Sequence, residues 1–221
     1  MENVLFSWSG GKDSAMALYE ILAARQYQVA ALLTTVTEDY QRISMHGVRR
    51  DLLQRQADSL GFPLEEIMIS RQSSNDEYES RMADVLVRYQ EQGVRSVVFG
   101  DIFLEDLKVY REKNLARLGM KGIFPIWKRT SDELIHSFIR LGFKAIIVCV
   151  DTKTLDGSFA GRVIDEQFVS DLPKGVDVCG ENGEFHSFVS EGPIFKKKIA
   201  YKPGETVLRD DRFRYCDLIP A

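Results

Sequence analysis

Two short segments of this chain carry residue types that do chemistry. The first, Ser7-Trp8-Ser9-Gly10-Gly11-Lys12-Asp13-Ser14, follows the apolar run Val4-Leu5-Phe6. Adjacent glycines let a backbone turn sharply and approach an anion, and a helix beginning near Asp13 offers unpaired N–H groups and the positive end of its dipole. Ser9 and Ser14 add hydroxyls and Lys12 adds a cation, so Ser9, Gly10, Gly11, Lys12, Asp13 and Ser14 form a candidate phosphate cradle. Asp13 serves there either as a Mg²⁺ ligand or as an ordinary helix N-terminal carboxylate. The second segment is Cys179-Gly180-Glu181-Asn182-Gly183-Glu184-Phe185-His186-Ser187. If a strand runs from Glu184, then Glu184 and His186 share one face and Phe185 takes the other, with Glu181 on the preceding turn. Such a group handles an ammonia proton, orients a polar substrate or holds Mg²⁺ near a phosphate. A turn whose charges face water is the competing description.

The elements that must position these residues alternate between strand and helix, as in a parallel sheet covered on both faces. The patterning predicts strands over 4–8, 29–36, 64–69 and 96–100, with helices over 13–25, 48–60, 75–92 and 105–119. Gly61 and Gly93 end two of those helices. The expected fold class is α/β, a parallel five-stranded sheet with helices on both faces, followed by a smaller mixed α+β domain. Pro125 and the turn residues near Thr130 place the boundary near Trp127, giving domains 1–127 and 128–221. A helix over 131–141 and a strand over 145–150 open the second part. Ligands in such sheets bind at strand carboxyl ends where the winding reverses, which is the edge that holds the glycine loop. Gly100 and Asp101, at the end of the fourth strand, share that edge: Gly100 lets a ligand approach, and Asp101 is a nucleotide or metal candidate or a plain loop carboxylate. The polar loop 37–44 is long enough to close over a nucleotide, and His46 follows it.

Composition excludes several functions. The 221 residues are 44% hydrophobic, enough for a sizeable core, and the net charge of -4 does not indicate a broad nucleic-acid surface. Cys149, Cys179 and Cys216 form no CxxC pair, which argues against a disulfide scaffold or a zinc site and fits a reducing cytoplasm. Residues 1–7 carry Glu2 rather than a basic leader, and no run approaches the ~20 apolar residues of a membrane span. The spacing around Lys12 also departs from GxxxxGK[ST], because Asp13 follows the lysine and the glycines adjoin.

The order SGGKDS over residues 9–14 resembles the PP-loop of the ATP pyrophosphatases. Residues 179–187 are similar to the GEGGEF-type signature of the diphthine–ammonia ligase family, which also begins with SGGKDS. His46-Gly47, Gly100-Asp101-Ile102 and Pro125-Ile126-Trp127 extend the resemblance over essentially the whole chain. The resemblance implies a HUP-like ATP-binding domain, a family-specific second domain facing it, and ATP-dependent amidation. A carboxylate is adenylated, pyrophosphate leaves and ammonia displaces AMP. It implies ATP and Mg²⁺ as cofactors. It also implies phosphate contacts from residues 9–14, nucleotide or substrate contacts from His46, Gly100 and Asp101, and catalytic roles for Lys12, Glu181, Glu184 and His186. Partners expected from it are ammonia and either elongation factor 2 or a small carboxylate, and homo-oligomers are compatible with it; the net charge and the lack of a membrane-length apolar run are what speak against DNA and membrane. Asn182 stands where the family often has glycine, which leaves a bacterial small-molecule acceptor open. Sulfur transfer through Cys179 and non-catalytic ATP sensing are the remaining alternatives.

Overall fold

The computed structural model of the chain describes residues 1–44 and 46–221. Strand β1 (Glu2–Ser7) leads through the glycine turn into helix α1 (Lys12–Ala24), and β2 (Tyr27–Thr37) returns parallel to β1. A two-residue strand, β3 (Arg42–Ile43), pairs antiparallel with the end of β2 before helix α2 (Arg50–Leu60). The strand β4 (Leu64–Ile69), helix α3 (Asn75–Glu91), strand β5 (Ser96–Val98), helix α4 (Glu105–Arg117) and strand β6 (Lys121–Ile123) complete the first half. The parallel strands run in the order β4-β2-β1-β5-β6, so the five-stranded expectation holds, with β3 as an antiparallel addition. Winding reverses at β1, whose carboxyl end carries the glycine turn.

Two boundaries moved for physical reasons. Helix α2 begins at Arg50 rather than 48, because Ile43 N donates to Val48 O (2.8 Å) and Arg49 is extended at φ -63°, ψ 138°. Strand β5 stops at Val98 because Gly100 is needed elsewhere: a Cβ there would lie 2.9 Å from Ser14 N and 3.0 Å from Asp13 O. The sequence reading gave that space to a ligand; the structure fills it with the first turn of α1.

The second half opens with α5 (Ser131–Arg140), capped by Thr130, whose hydroxyl accepts from Glu133 N at 3.2 Å. Strand β7 (Lys144–Asp151), helix α6 (Glu166–Asp171) and strands β8 (Phe185–Glu191), β9 (Tyr201–Arg209) and β10 (Phe213–Pro220) follow. The four strands form an antiparallel sheet in the order β8-β7-β10-β9. Both faces of β1 are buried, as a central parallel strand requires. Val4 and Phe6 join a large cluster with Leu18 of α1, Leu52 of α2 and Ile147, Phe185 and Phe188 of the second sheet. Leu5 points to the other face, among Leu33, Val97, Leu86 of α3 and Leu115 of α4. The second sheet is thereby packed onto the α1–α2 side and delivers residues 179–191 to the end of β1.

Candidate active site

The glycine turn is built by its neighbours as much as by its glycines. Gly10 sits at φ 77°, and a Cβ on it would meet Gln56 Oε1 at 2.6 Å. Gln56 is fully buried on α2. It accepts from Trp8 Nε1 (3.1 Å) and donates to the carbonyls of Gly10 (3.0 Å) and Val189 (2.6 Å). Val189 N also donates to Gly10 O at 2.9 Å. Ser9 Oγ accepts from Gly11 N (3.3 Å) and donates to Ser14 Oγ (3.1 Å), while Ser187 Oγ accepts from Lys12 N (3.1 Å). Gln56 escaped the sequence reading, although a glutamine on the apolar face set by Leu52, Leu53, Ala57 and Leu60 was a visible signal.

Lys12 is buried, and its ammonium lies 2.8 Å from the Asp13 carboxylate and 5.4 Å from the ring centre of Phe185. Burial opposes the charge, and the carboxylates of Asp13 and, further off, Glu181 overcome it, so the lysine pKa rises and the cation persists at neutral pH. Glu181 Oε1 accepts from Ile102 N at 2.8 Å, which ties the C-terminal signature to the residues after β5. Burial pushes the Glu181 carboxyl up to about 7, with Asp13 and Asp101 adding like charge against the bond from Ile102. Asp101, also buried, is engaged by Arg111 Nε at 2.8 Å, and the guanidinium lies 4.5 Å from the Phe99 ring centre. The Asp101 carboxylate is therefore an ion-pair partner first, and Arg111, whose surface position on a helix gave no decisive signal, is brought to the site by that pair.

The expected side-by-side pair of Glu184 and His186 is corrected. The strand begins at Phe185, one residue late, because Gly183 at φ 89° turns the chain and Glu184 closes the preceding loop. Its Oε1 accepts from Asp177 N (3.0 Å) and Asn182 Nδ2 (3.1 Å), while Asp177 Oδ1 accepts from Cys179 N (3.0 Å) and Glu181 N (3.1 Å). Glu184 Oε2 is buried with no hydrogen-bond partner among the described residues. His186 packs instead against His46, ring centres 4.5 Å apart and tilted 37°. Burial holds both imidazoles low, His186 at about 4, with Lys12 contributing, so the pair is neutral at physiological pH. His46 Nδ1 is likewise buried without a partner among the described residues. Segments 9–14, 46, 100–102 and 181–187 thus meet at one place. Ser9, Gly10, Gly11, Lys12, Asp13, Ser14, His46, Glu181 and His186 surround it, while Gly100 packs behind it.

A cavity of about 550 Å³ opens from this place between the sheet and α3–α4. Ser7, Ser9, Thr34, Ser44 and His46 line one end, and Leu33, Leu86, Val97, Phe99 and Leu115 make an apolar floor. Glu79 stands in its wall, accepting from Tyr110 (2.9 Å) and Arg117 (3.1 Å). The size, and an apolar floor ringed by hydroxyl, amide and charged side chains, suit a small organic ligand such as a nucleoside.

Comparison with known proteins decides the family. Residues 2–122 match the diphthamide synthase N-terminal domain, and residues 130–217 match the diphthamide synthase C-terminal domain. The chain belongs to the diphthamide synthase family. Its relatives include the human protein named diphthine–ammonia ligase, 27% identical over 226 residues covering 90% of this chain and 83% of the relative. The zebrafish (Danio rerio) protein of that name is 28% identical, covering 92% and 88%. The Schizosaccharomyces pombe protein of that name is 25% identical over 90% of this chain, which corresponds to 36% of that longer relative.

The three cysteines are buried free thiols, an unfavourable setting for the sulfur transfer considered for Cys179. Burial pushes the Cys179 thiol up to about 12 and Cys149 up to about 11, and Cys179 Sγ donates to Ser131 O at 3.3 Å. His136 lies on α5 between Asp132 (3.7 Å) and Glu166 (3.2 Å), away from the site. Among the described residues no helix is long and apolar enough to cross a membrane, and no three His, Cys, Asp or Glu side chains cluster as metal ligands. That donor set still fits Mg²⁺, which takes one or two carboxylates and completes its shell with water and substrate phosphates. Asp13, whose two carboxylate oxygens accept from Lys12 Nζ at 2.9 and 2.8 Å, is the residue of the glycine turn that would hold such an ion.

Proposed function

We propose that this protein is an ATP-dependent, AMP-forming amide ligase of the diphthine–ammonia type. Residues 1–127 carry the nucleotide and residues 128–221 the acceptor side. The observation that carries this reading is the convergence of the two motifs: Ser187 and Val189 bond the phosphate loop directly, and Glu181 reaches Ile102. A loop that only capped a helix has no use for a half-buried carboxylate, raised toward neutral pKa, facing a buried lysine.

The acceptor carboxylate attacks the α-phosphorus of ATP, the bond to the β-phosphate oxygen breaks, and pyrophosphate leaves. Ammonia then adds to the acyl carbon, the amide forms, AMP departs and one proton is lost. Lys12 and the residues of the 9–14 turn meet the negative charge that grows on the phosphates, where preorganised donors in a buried site act most strongly. The adenosine occupies the cavity beneath α3 and α4. Glu181, with its pKa near 7, takes the proton that ammonia surrenders. Glu184 Oε2 and His46 Nδ1, buried without partners, receive donors from the incoming ammonium and the acceptor. The neutral ring of His186 lines their path without adding charge. Asp13 would hold a Mg²⁺ ion, which when bound would supply positive charge against the pyrophosphate that leaves.

The acceptor assigned here is the diphthine of elongation factor 2. Incubation with ATP, Mg²⁺, ammonium and diphthine-bearing factor, followed by nucleotide chromatography, gives AMP and pyrophosphate in proportion to the factor added. ATP binding without factor-dependent AMP overturns the acceptor and leaves a small carboxylate to be sought; binding without AMP under any acceptor supports the sensor alternative.

A further inference from the structure

We infer that Asp217, far along the chain from either motif, is a positioning residue that sets His46 against His186. The inference rests on the ligase reading of the site.

His46 is carried by a tight connection between β3 and α2. Gly47 N donates to Ile43 O (3.0 Å), Ser44 N to Thr35 O (3.1 Å), and Gly47 takes φ 70°. Among the described residues, the His46 ring meets the second sheet at the Ser187 backbone and the His186 ring. Strand β10 braces the connection that carries it. Its residues alternate: Cys216 and Leu218 are buried in their own sheet, while Tyr215 and Asp217 face the connection. The Tyr215 ring lies so close to Gly47 that a Cβ there would meet it at 2.8 Å. One oxygen of Asp217 accepts from Arg42 Nη1 (2.7 Å) and Arg49 Nε (3.2 Å), and the other from Arg49 Nη2 (2.6 Å). Arg42 Nη1 also donates to Gly47 O at 2.7 Å. The two arginines flank the connection, one on each side of His46, and Arg42 and Arg49 are themselves joined by a backbone bridge. A single carboxylate therefore closes the base of the loop, and the aromatic ring two residues before it seals the tip.

These partners lie 168 and 175 positions apart in sequence. The clamp thus forms only when the second sheet has docked, which is also when His186 arrives on β8. Charge on Asp217 is secure: its two guanidinium partners overcome the cost of burial and hold the carboxyl down at about 2. The clamp therefore does not titrate in the working range of the enzyme.

The test reads the histidines directly, since the chain has only three. Diethylpyrocarbonate labelling followed by peptide mass spectrometry should modify His136 readily in the wild-type protein and His46 slowly. In Asp217→Asn the His46 rate rises toward that of His136 while the His136 rate is unchanged. Gly47→Ala, which collides with Tyr215 through an independent contact, does the same. If Asp217→Asn proves too unstable to purify, Arg42→Gln removes the same bond from the loop side. Catalysis supplies the second readout: kcat falls roughly 10- to 100-fold in Asp217→Asn, the scale for misplacing a reacting group by about 1 Å, while KM for ATP changes less. Placed in a His46→Ala background, Asp217→Asn costs nothing further, an outcome that a general loss of structure would not produce. Unchanged His46 labelling in both Asp217→Asn and Gly47→Ala overturns the inference. Raised labelling with kcat intact upholds the clamp and instead overturns the part that the ligase reading gives to His46.

Discussion

The two faces of the parallel sheet are finished differently. On one, α1 buries Ala15, Met16, Ala17, Leu18 and Ile21, and the second sheet packs over it in one continuous apolar cluster. On the other, α3 buries Leu86 alone and α4 Leu115 alone among the described residues of those helices, and about 550 Å³ lies open beneath them. Interiors are normally packed close to crystal density, so an opening of this size under two helices is a site waiting for contents. In the function proposed above, the closed face holds the reacting groups in register and the open face takes the nucleotide. That reading puts rigid chemistry and adaptable binding on opposite sides of one set of strands.

This division can be broken at several points. The greatest effect falls on Lys12, buried in the glycine turn proposed to hold the phosphates: Lys12→Ala should lower AMP formation about 10²–10³-fold, the cost of losing one preorganised electrostatic contact, with the melting temperature showing whether the fold survives. Next comes packing. Leu18→Ala on the closed face should cost about 2–5 kcal/mol in chemical denaturation, because its surroundings are fully enclosed. Leu115→Ala should cost less, and it should shrink the stabilisation given by a fixed ATP concentration, which Leu18→Ala leaves at its wild-type size. Equal costs, or an equal ATP-induced rise in stability, would remove the contrast between the faces.

A third effect depends on pH. The Glu181 carboxyl is raised to about 7 in the folded protein, above its ordinary value of 4.5 in an unfolded chain. The folded state therefore prefers the protonated form; its contribution is fully present below pH 4.5 and is lost as pH rises through about 7. Glu181→Gln should melt higher than wild type at pH 8 and converge with it by pH 4.5, while the rising limb of activity near pH 7 disappears. A wild-type melting temperature that climbs from pH 5 to pH 8 relative to the variant would contradict the burial that sets this carboxyl. The smallest effect belongs to Cys179, a neutral packing group whose change to alanine should leave AMP formation within about twofold when assayed with factor and ammonium.

What could be read from the amino acids was what they do locally. Strand β1, the turn after it and α1 were legible because glycines, a lysine and an unbroken apolar run announce themselves within a dozen residues. Four of the five parallel strands followed from the same local logic, while the three-residue β6 was too short to show a pattern. Gln56, Asp177 and Asp217 were not legible, since each looks like an ordinary polar residue until a partner from another element is brought to it. Glu184 was legible as a site residue but not in its orientation, which a one-residue shift in the start of β8 decides. The cavity left the faintest trace: α3 reads as a long charged helix, and what was missing from its inner face did not show as a pattern.

Gln56 sits at a three-way junction, touching the indole of Trp8, the carbonyl of Gly10 and the carbonyl of Val189. The six-residue sequence SGGKDS is thus not a portable part. Grafted alone into another parallel-sheet protein, it would arrive without the amide that shapes its first glycine and without the strand backbone that braces it from behind. A successful transplant would carry α2 and residues 187–189 along with the loop.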